Sequence, residues 1–278
     1  MAEKAEPIFL DLELARRIET AEATAAASAA ESALGRGRTD LAVARVAGGY
    51  AIYAGANSPV TQALALGLNG AVSAEEFARM EEFYRERREP VRIETCPLAD
   101  LSLFELLGRG GYRATEFTNV MAQRIDSVSP SCTNDDGISV ERVAEDQIDL
   151  WTLAVAQGFA ENQLVSQDVL DVMKLFALAP GNECYLARVE GKVAGGGTLA
   201  LRDGLAGLFG ASTLPAFRKR GVQAALLKAR LARAAEDGCE IAACLAQPGS
   251  GSQRNMMRRG FQVLYTRVKF ERHWEDGK

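Results

Sequence analysis

The sequence predicts a two-domain α/β protein, each domain a mixed, largely antiparallel sheet flanked by helices. Three observations carry this expectation. The chain has 278 residues, 47% of them hydrophobic, more than one typical domain of ~100–200 residues requires. A polar stretch from Ser127 to Gly137 holds Pro and Gly and almost no apolar side chain, the composition of an exposed linker. The halves on either side of it end alike. Ile93-Glu94-Thr95-Cys96, a short helix, Gly111-Tyr112 and a long strand are echoed by Ile241-Ala242-Ala243-Cys244, a short helix, Gly260-Phe261 and a long strand. This reads as a diverged internal repeat with domains over 1–129 and 130–278, against the alternative that two α/β domains share a common unit by chance.

Each element has a local reason. Ile8 to Leu34 is rich in Ala, Glu, Leu and Arg, lacks Gly and Pro, and puts Leu10, Leu14 and Ile18 on one helical stripe. Leu41–Val46 and Tyr50–Ala54 are short β runs joined at Gly48-Gly49. Ser73 and Glu76 form a capping box for a helix carrying Phe77, Met80 and Tyr84, closed by Pro90. A strand Val91–Cys96, a short helix Leu101–Leu107 ended by Gly110-Gly111, and an extended run Tyr112–Ile125 complete the first half. The second half begins with a strand at Ile138–Val143. A helix striped by Ile148, Trp151, Val155 and Phe159 follows, and another with Val169, Val172, Met173 and Phe176. Cys184–Val189, Val193–Leu201 and Leu205–Ala211, turning at Glu190-Gly191 and Asp203-Gly204, predict an antiparallel meander. A helix from Val222 to Asp237 buries Val222, Ala225, Leu226, Ala229 and Ala232 and stops at Gly238. Strand Ile241–Leu245, a short helix near Gln253–Arg258 and strand Phe261–Phe270 close the chain.

Composition excludes several function classes. With a net charge of −5 the chain has no excess of cations to hold a nucleic-acid backbone, so no nucleic-acid partner is expected. The five cysteines, Cys96, Cys132, Cys184, Cys239 and Cys244, are odd in number and scattered, which predicts reduced core thiols rather than a disulfide framework or zinc site. His273 is the single histidine, so no metal centre is expected and a Ser-His-Asp relay has one badly placed candidate. The opening Met1-Ala2-Glu3-Lys4-Ala5-Glu6 is polar and acidic rather than basic and apolar. The uncharged run Val46–Ala74 is broken by Gly48-Gly49, Asn57-Ser58-Pro59 and Asn69-Gly70 into pieces too short to span a bilayer. A cytoplasmic protein without a membrane partner is expected.

The chemistry centres on Thr213-Leu214-Pro215-Ala216-Phe217-Arg218-Lys219-Arg220-Gly221-Val222-Gln223-Ala224, between the last meander strand and the long helix. Free N–H groups at a helix start, the positive end of its dipole, a glycine allowing close approach and three adjacent cations together suit a pyrophosphate. An ordinary solvated basic turn has the same charges. The segment resembles the coenzyme A loop of the GNAT superfamily of N-acetyltransferases, Arg/Gln-x-x-Gly-x-Gly/Ala after a strand and before a helix. Arg218, Gly221 and Thr213-Leu214-Pro215 match, and Gln223 stands where the family commonly has Gly or Ala. The element order from Ile138 to Phe270 is also that of the family.

The resemblance implies two GNAT-like domains and acetyl-coenzyme A as cosubstrate. Ala211, Ser212 and Thr213 would offer main-chain groups to pantetheine and the acetyl carbonyl. Arg218, Lys219, Arg220, Gly221, Val222, Gln223 and Ala224 would hold the pyrophosphate, and Asn255 would lie near the pantetheine arm. The acceptor would be a primary amine, of a small molecule or a peptide. An alkyl ammonium has a pKa of ~10.4, so a base is required. Glu161 is the candidate, with Glu183 and Tyr185 as further ones. The family's usual acid, a Tyr four residues before the Gly-Phe pair, is Met256 here. A thiolate of pKa ~8.5 leaves without much help, but the replacement keeps a second reading open, a non-catalytic acyl-coenzyme A-binding sensor or scaffold. No Lys or Arg lies between Arg45 and Arg79, so the first domain is expected to be degenerate, forming an acceptor wall or a homo-oligomer contact. Other two-domain transferases, including aminoacyl transferases, are competitors that Arg218 to Gly221 weighs against.

Overall fold

The computed structural model describes residues 7–56, 58–125, 137–160 and 164–274. Helix α1 (Leu12–Gly35) starts where Asp11 caps it, its side chain accepting the Leu14 N–H. The sequence places that start four residues too early because propensity carries no cap signal. Strands β1 (Ala42–Val46) and β2 (Gly49–Tyr53) form a hairpin. Its turn is Ala47-Gly48, both at positive φ, not Gly48-Gly49. Gly49 lies in the strand instead, where a Cβ would collide with the backbone at Leu64 and Ala65. Strand β3 (Gln62–Leu64), only three residues long, adds to the elements that the sequence predicts. Helix α2 (Ala74–Arg85), strand β4 (Val91–Thr95), helix α3 (Leu101–Arg109) and strand β5 (Arg113–Arg124) follow as expected. Of the expected linker, 127–136 lie outside the described residues.

Beyond it come β6 (Ile138–Arg142), α4 (Ile148–Phe159) and α5 (Gln167–Ala177). The meander is β7 (Asn182–Val189), β8 (Lys192–Arg202) and β9 (Leu205–Thr213). Its turns, Glu190-Gly191 and Asp203-Gly204, have positive φ at both residues, the primed geometry that matches strand twist. Helix α6 (Val222–Glu236), strand β10 (Ile241–Ala246), helix α7 (Gly251–Met257) and strand β11 (Gln262–Arg272) complete the chain. The string of strand, short helix and long strand therefore occurs twice, as β4-α3-β5 and β10-α7-β11.

The chain groups into two compact units. One comprises residues 1–122 and 245–278, the other 123–244. Unit 1 has strand order β1-β2-β3-β4-β11-β5, so β11, expected in the second domain, is interior to the first sheet. It runs antiparallel to β4 (Val268↔Thr95, Phe270↔Ile93) and to β5 (Thr266↔Asn119, Val268↔Phe117). Side chains add to this ladder. Arg267, 1% exposed, donates to Glu19 and Glu22 of α1 at 2.7 Å each, and Tyr265 donates to Glu19 at 2.8 Å. Lys269 bridges Glu94 and Glu116, and Arg272 pairs with Glu81. Burial alone would lower the pKa of Arg267. The facing carboxylates reverse this and hold it charged.

Unit 2 has strand order β10-β9-β8-β7-β6. Helix α4 packs against β7, β8 and β9, and its Trp151 and Val155 join Ile148, Cys184 and Leu186 in the core. Helix α6 packs on β6 to β9. The two helices cover opposite faces. Gly196 points at Trp151 and Val155, and the next residue, Gly197, points at Arg230 of α6. Cys96, Cys184, Cys239 and Cys244 are free and buried, and burial pushes the thiols of Cys96, Cys184 and Cys244 up to about 12. Cys132 lies outside the described residues. Among the described residues no helix is long and apolar enough to cross a membrane.

Arg267→Met should strand the buried Glu19 carboxylate and cost about 3–5 kcal/mol, the penalty for removing one partner of a buried pair. Glu19→Gln/Arg267→Met should recover part of that loss in denaturant unfolding. Equal destabilisation of single and double variants would show that packing, not charge, dominates.

Candidate functional site

The site in unit 2 starts from the backbone. A single 3₁₀ turn, Pro215–Phe217, leads into Lys219 at φ 63 and Gly221 at φ 87. Gly221 is the N-cap of α6 and supplies no side-chain cap. Ala224 and Ala225 return their N–H groups to Gly221 O. Among the described residues no acceptor meets the N–H groups of Val222 and Gln223. A helix start of this kind presents free donors and a positive dipole end.

The three cations of the loop do different things. Arg218, though exposed, reaches back to the backbone, its Nη2 donating to Gly158 O at 3.1 Å and its Nε to Thr213 O at 3.5 Å. It ties the loop to the end of α4 and the end of β9. Arg220 is exposed, pairs with Glu190 at 2.8 Å and lies over the Phe217 ring. Lys219 is exposed and has no side-chain partner among the described residues. Gln223 Nε2 donates to Thr213 Oγ1 at 3.0 Å, so the side chain that departs from the family pattern fastens the helix start to β9. Val222 is buried beneath it and Ala224 is half-buried.

Strand β9 is bent beside this helix start. The register with β8 runs Gly195↔Thr213 and Gly196↔Ser212, then jumps to Thr198↔Phe209. One extra residue on β9 makes a bulge at Gly210, φ 57, and Ala211. The parallel ladder with β10 ends at Cys244↔Leu208, so from Phe209 to Thr213 β9 has β8 as its recorded partner. Close packing holds the bend. Ser212 Oγ donates to Val155 O at 2.8 Å, and a Cβ on Gly158 would overlap Ser212 Oγ. Gly195, Gly196 and Gly197 are each cut away for a neighbour: the Ser212 carbonyl, the Trp151 and Val155 side chains, and the Arg230 guanidinium. Ser212 and Thr213 are buried and Ala211 is half-buried.

The candidate bases fare unequally. Glu161 lies outside the described residues. Glu183 is engaged by the Tyr185 hydroxyl at 2.8 Å and by Arg142 and Arg233 at 3.4 and 3.3 Å. Burial, with the adjacent Glu183, raises the Tyr185 pKa well above its usual value. Asn255, exposed, and Met256, half-buried, lie on α7 in unit 1.

Two features escaped the sequence reading. Arg230 is buried on the inner face of α6 with Val222, Leu226, Leu227, Leu231 and Ala234, whereas Ala225, Ala229 and Ala232, expected on that face, are half-buried. The signal was available, since Arg230 stands four residues after Leu226. The glycine triplet inside a predicted strand was the other. Unit 1 differs at its corresponding helix. The α2 entrance is closed by its own capping box, Ser73 Oγ accepting the Glu76 N–H and Glu76 Oε2 accepting the Ser73 N–H.

Residues 141–261 match the family model of the acetyltransferase (GNAT) family. A GCN5-related N-acetyltransferase from Kribbella flavida has the same fold, with a TM-score of 0.62 and 16% identity over 90% of this chain and 96% of that one. A tandem GNAT protein from the clavulanic acid biosynthesis pathway gives 0.59 and 12% identity over 86% of this chain and 85% of that one. At these identities the likeness is one of fold. No curated protein matches the chain.

Gly158→Ala should push α4 from β9 and cost about 1–3 kcal/mol, as overpacking of a filled site does. Thermal unfolding reads this directly, and an unchanged melting temperature would refute the close contact.

Proposed function

We propose that this chain, whose residues 141–261 match the family model of the acetyltransferase (GNAT) family, transfers an acetyl group from acetyl-coenzyme A to a primary amine, of a small molecule or a peptide. The observation that carries the reading is the contrast between two helix starts. At α2 the free N–H groups and the positive dipole end are answered by Ser73 and Glu76. At α6 they are left open, beside Lys219 and Arg220. An anion has somewhere to go only at the second.

The residues present fit the cosubstrate. Val222 and Gln223 N–H groups would take the pyrophosphate, with Gly221 admitting it close to the backbone and Lys219 and Arg220 adding charge. Arg218 acts one step back, fixing the loop through Gly158 and Thr213. The stretch of β9 beyond its ladder with β10 would give pantetheine the main-chain groups of Ala211, Ser212 and Thr213. When bound, acetyl-coenzyme A supplies an acyl group activated as a thioester. The chain must orient it, exclude water and take a proton from the incoming ammonium. Glu161 is the base in this proposal, since Glu183 is held by two arginines and a tyrosine. A second reading, coenzyme A binding without turnover, is favoured by one observation, Met256 at the position where the family commonly has tyrosine.

Release of free thiol with a panel of amines separates the two readings. Lys219→Ala/Arg220→Ala should weaken coenzyme A binding about tenfold to a hundredfold, since charge-assisted hydrogen bonds contribute ~1.5–3 kcal/mol, and leave the melting temperature unchanged. Arg218→Ala should weaken binding and lower the melting temperature together. Calorimetry that shows full affinity in both variants would remove the loop from the site. Titration should also give one coenzyme A per chain; a second equal site would refute the contrast between the helix starts.

A further inference from the structure

Arg230 is 3% exposed, in the middle of α6. Its Nη1 donates to Thr198 O at 2.9 Å and its Nε to Leu226 O at 3.1 Å. Both acceptors are neutral carbonyls, and among the described residues no carboxylate pairs with it. The other buried arginine, Arg267, has Glu19 and Glu22. The ionisable groups nearest in electrostatic effect to Arg230 are the Cys244 thiol and the Tyr185 phenol, both uncharged at neutral pH. Burial lowers the Arg230 pKa to about 10, which still leaves it protonated. Among its described residues, unit 2 thus holds a positive charge in its interior that no side-chain anion offsets.

Packing does not require that charge. A methionine or leucine fills such space without desolvating a guanidinium. Strand β8 is nonetheless shaped for it, because a Cβ on Gly197 would stand 3.0 Å from Arg230 Cζ. That same point is 3.3 Å from Ala211 Cβ. The guanidinium therefore lies on the α6 face of the bulge, next to the backbone that leaves the β10 ladder.

We infer that Arg230 is a positioning residue for acyl transfer: it holds the β8–β9 bulge in place through Thr198 and sets a buried positive charge beside the thioester sulfur of coenzyme A. The inference rests on the acetyl-coenzyme A reading above. In the transfer, the amine nitrogen forms its bond to the acyl carbon as the carbon–sulfur bond breaks. The electron pair of that bond stays on sulfur, which departs as thiolate, and the amine proton passes to the base or to water. Sulfur is where negative charge ends, and an unneutralised cation in a low-dielectric interior lowers the cost of that charge.

The test uses the full chain and coenzyme A itself. Thiolate absorbance is followed in the ultraviolet as the pH is raised, with coenzyme A free and bound. Bound coenzyme A should carry about tenfold more thiolate at neutral pH than free coenzyme A, the effect of ~1.4 kcal/mol of electrostatic stabilisation. Arg230→Met, which keeps the length of the stem, should abolish that gain with coenzyme A affinity within about threefold of the parent. Arg230→Lys should keep most of it. With an amine acceptor, Arg230→Met should lower kcat about tenfold and leave KM for acetyl-coenzyme A little changed. If bound coenzyme A in the parent chain ionises like free coenzyme A, the inference fails, whether or not the methionine variant folds. If the gain is present and survives in Arg230→Met, Arg230 is not its source, and the acetyl-coenzyme A reading stands. A chain that binds no coenzyme A overturns both.

Discussion

A buried arginine on the last strand, paired with two glutamates on the first helix, fixes how the chain is partitioned. Arg267 and Glu19 are each 1% exposed, and neither can be left alone in that interior without a penalty of several kcal/mol. The first helix therefore requires the last strand. Because β11 also lies between β4 and β5 in the ladder, unit 1 has no complete sheet until the end of the chain is present. Along the sequence, residues 123–244 stand between the two segments of unit 1.

The pairing of β11 is not legible in the sequence, and the reason is physical. Turn chemistry is local, so Glu190-Gly191 and Asp203-Gly204 announced their hairpins through residues that tolerate positive φ. The capping box at Ser73 was equally legible. Which strand β11 would pair with depends on register against residues far away in sequence, such as Val268 with Thr95. An alternating run of apolar and charged residues fits any sheet edge. Arg267 and Lys269 look like the solvent face of a strand until Glu19, Glu94 and Glu116 are seen opposite them. Strand β3 was missed because three residues carry no periodicity.

At the site, legibility divides the same way. The loop from Arg218 to Gln223 stood out because a helix start after a strand, with a glycine and three cations, is a local pattern. What each side chain does there was not local. Arg218, read as a phosphate ligand, also donates to two carbonyls, and Gln223, read as a departure, secures Thr213. The bulge at Gly210 is invisible in sequence, since one extra residue in a strand is defined only against its partner.

The two buried arginines show what compensation means. Arg267 is neutralised within the fold, and its charge is therefore a matter of stability alone. Arg230 is hydrogen-bonded but not neutralised, and a fold selected only for stability gains nothing by carrying an uncompensated charge under a strand already reduced to glycine to admit it. The cost of that arrangement is offset only when negative charge arrives nearby. Under the proposed function negative charge would arrive with a polyanionic cosubstrate at the α6 start and with the thiolate it releases, and Gly197, Ala211 and Arg230 meet at the bulge of β9.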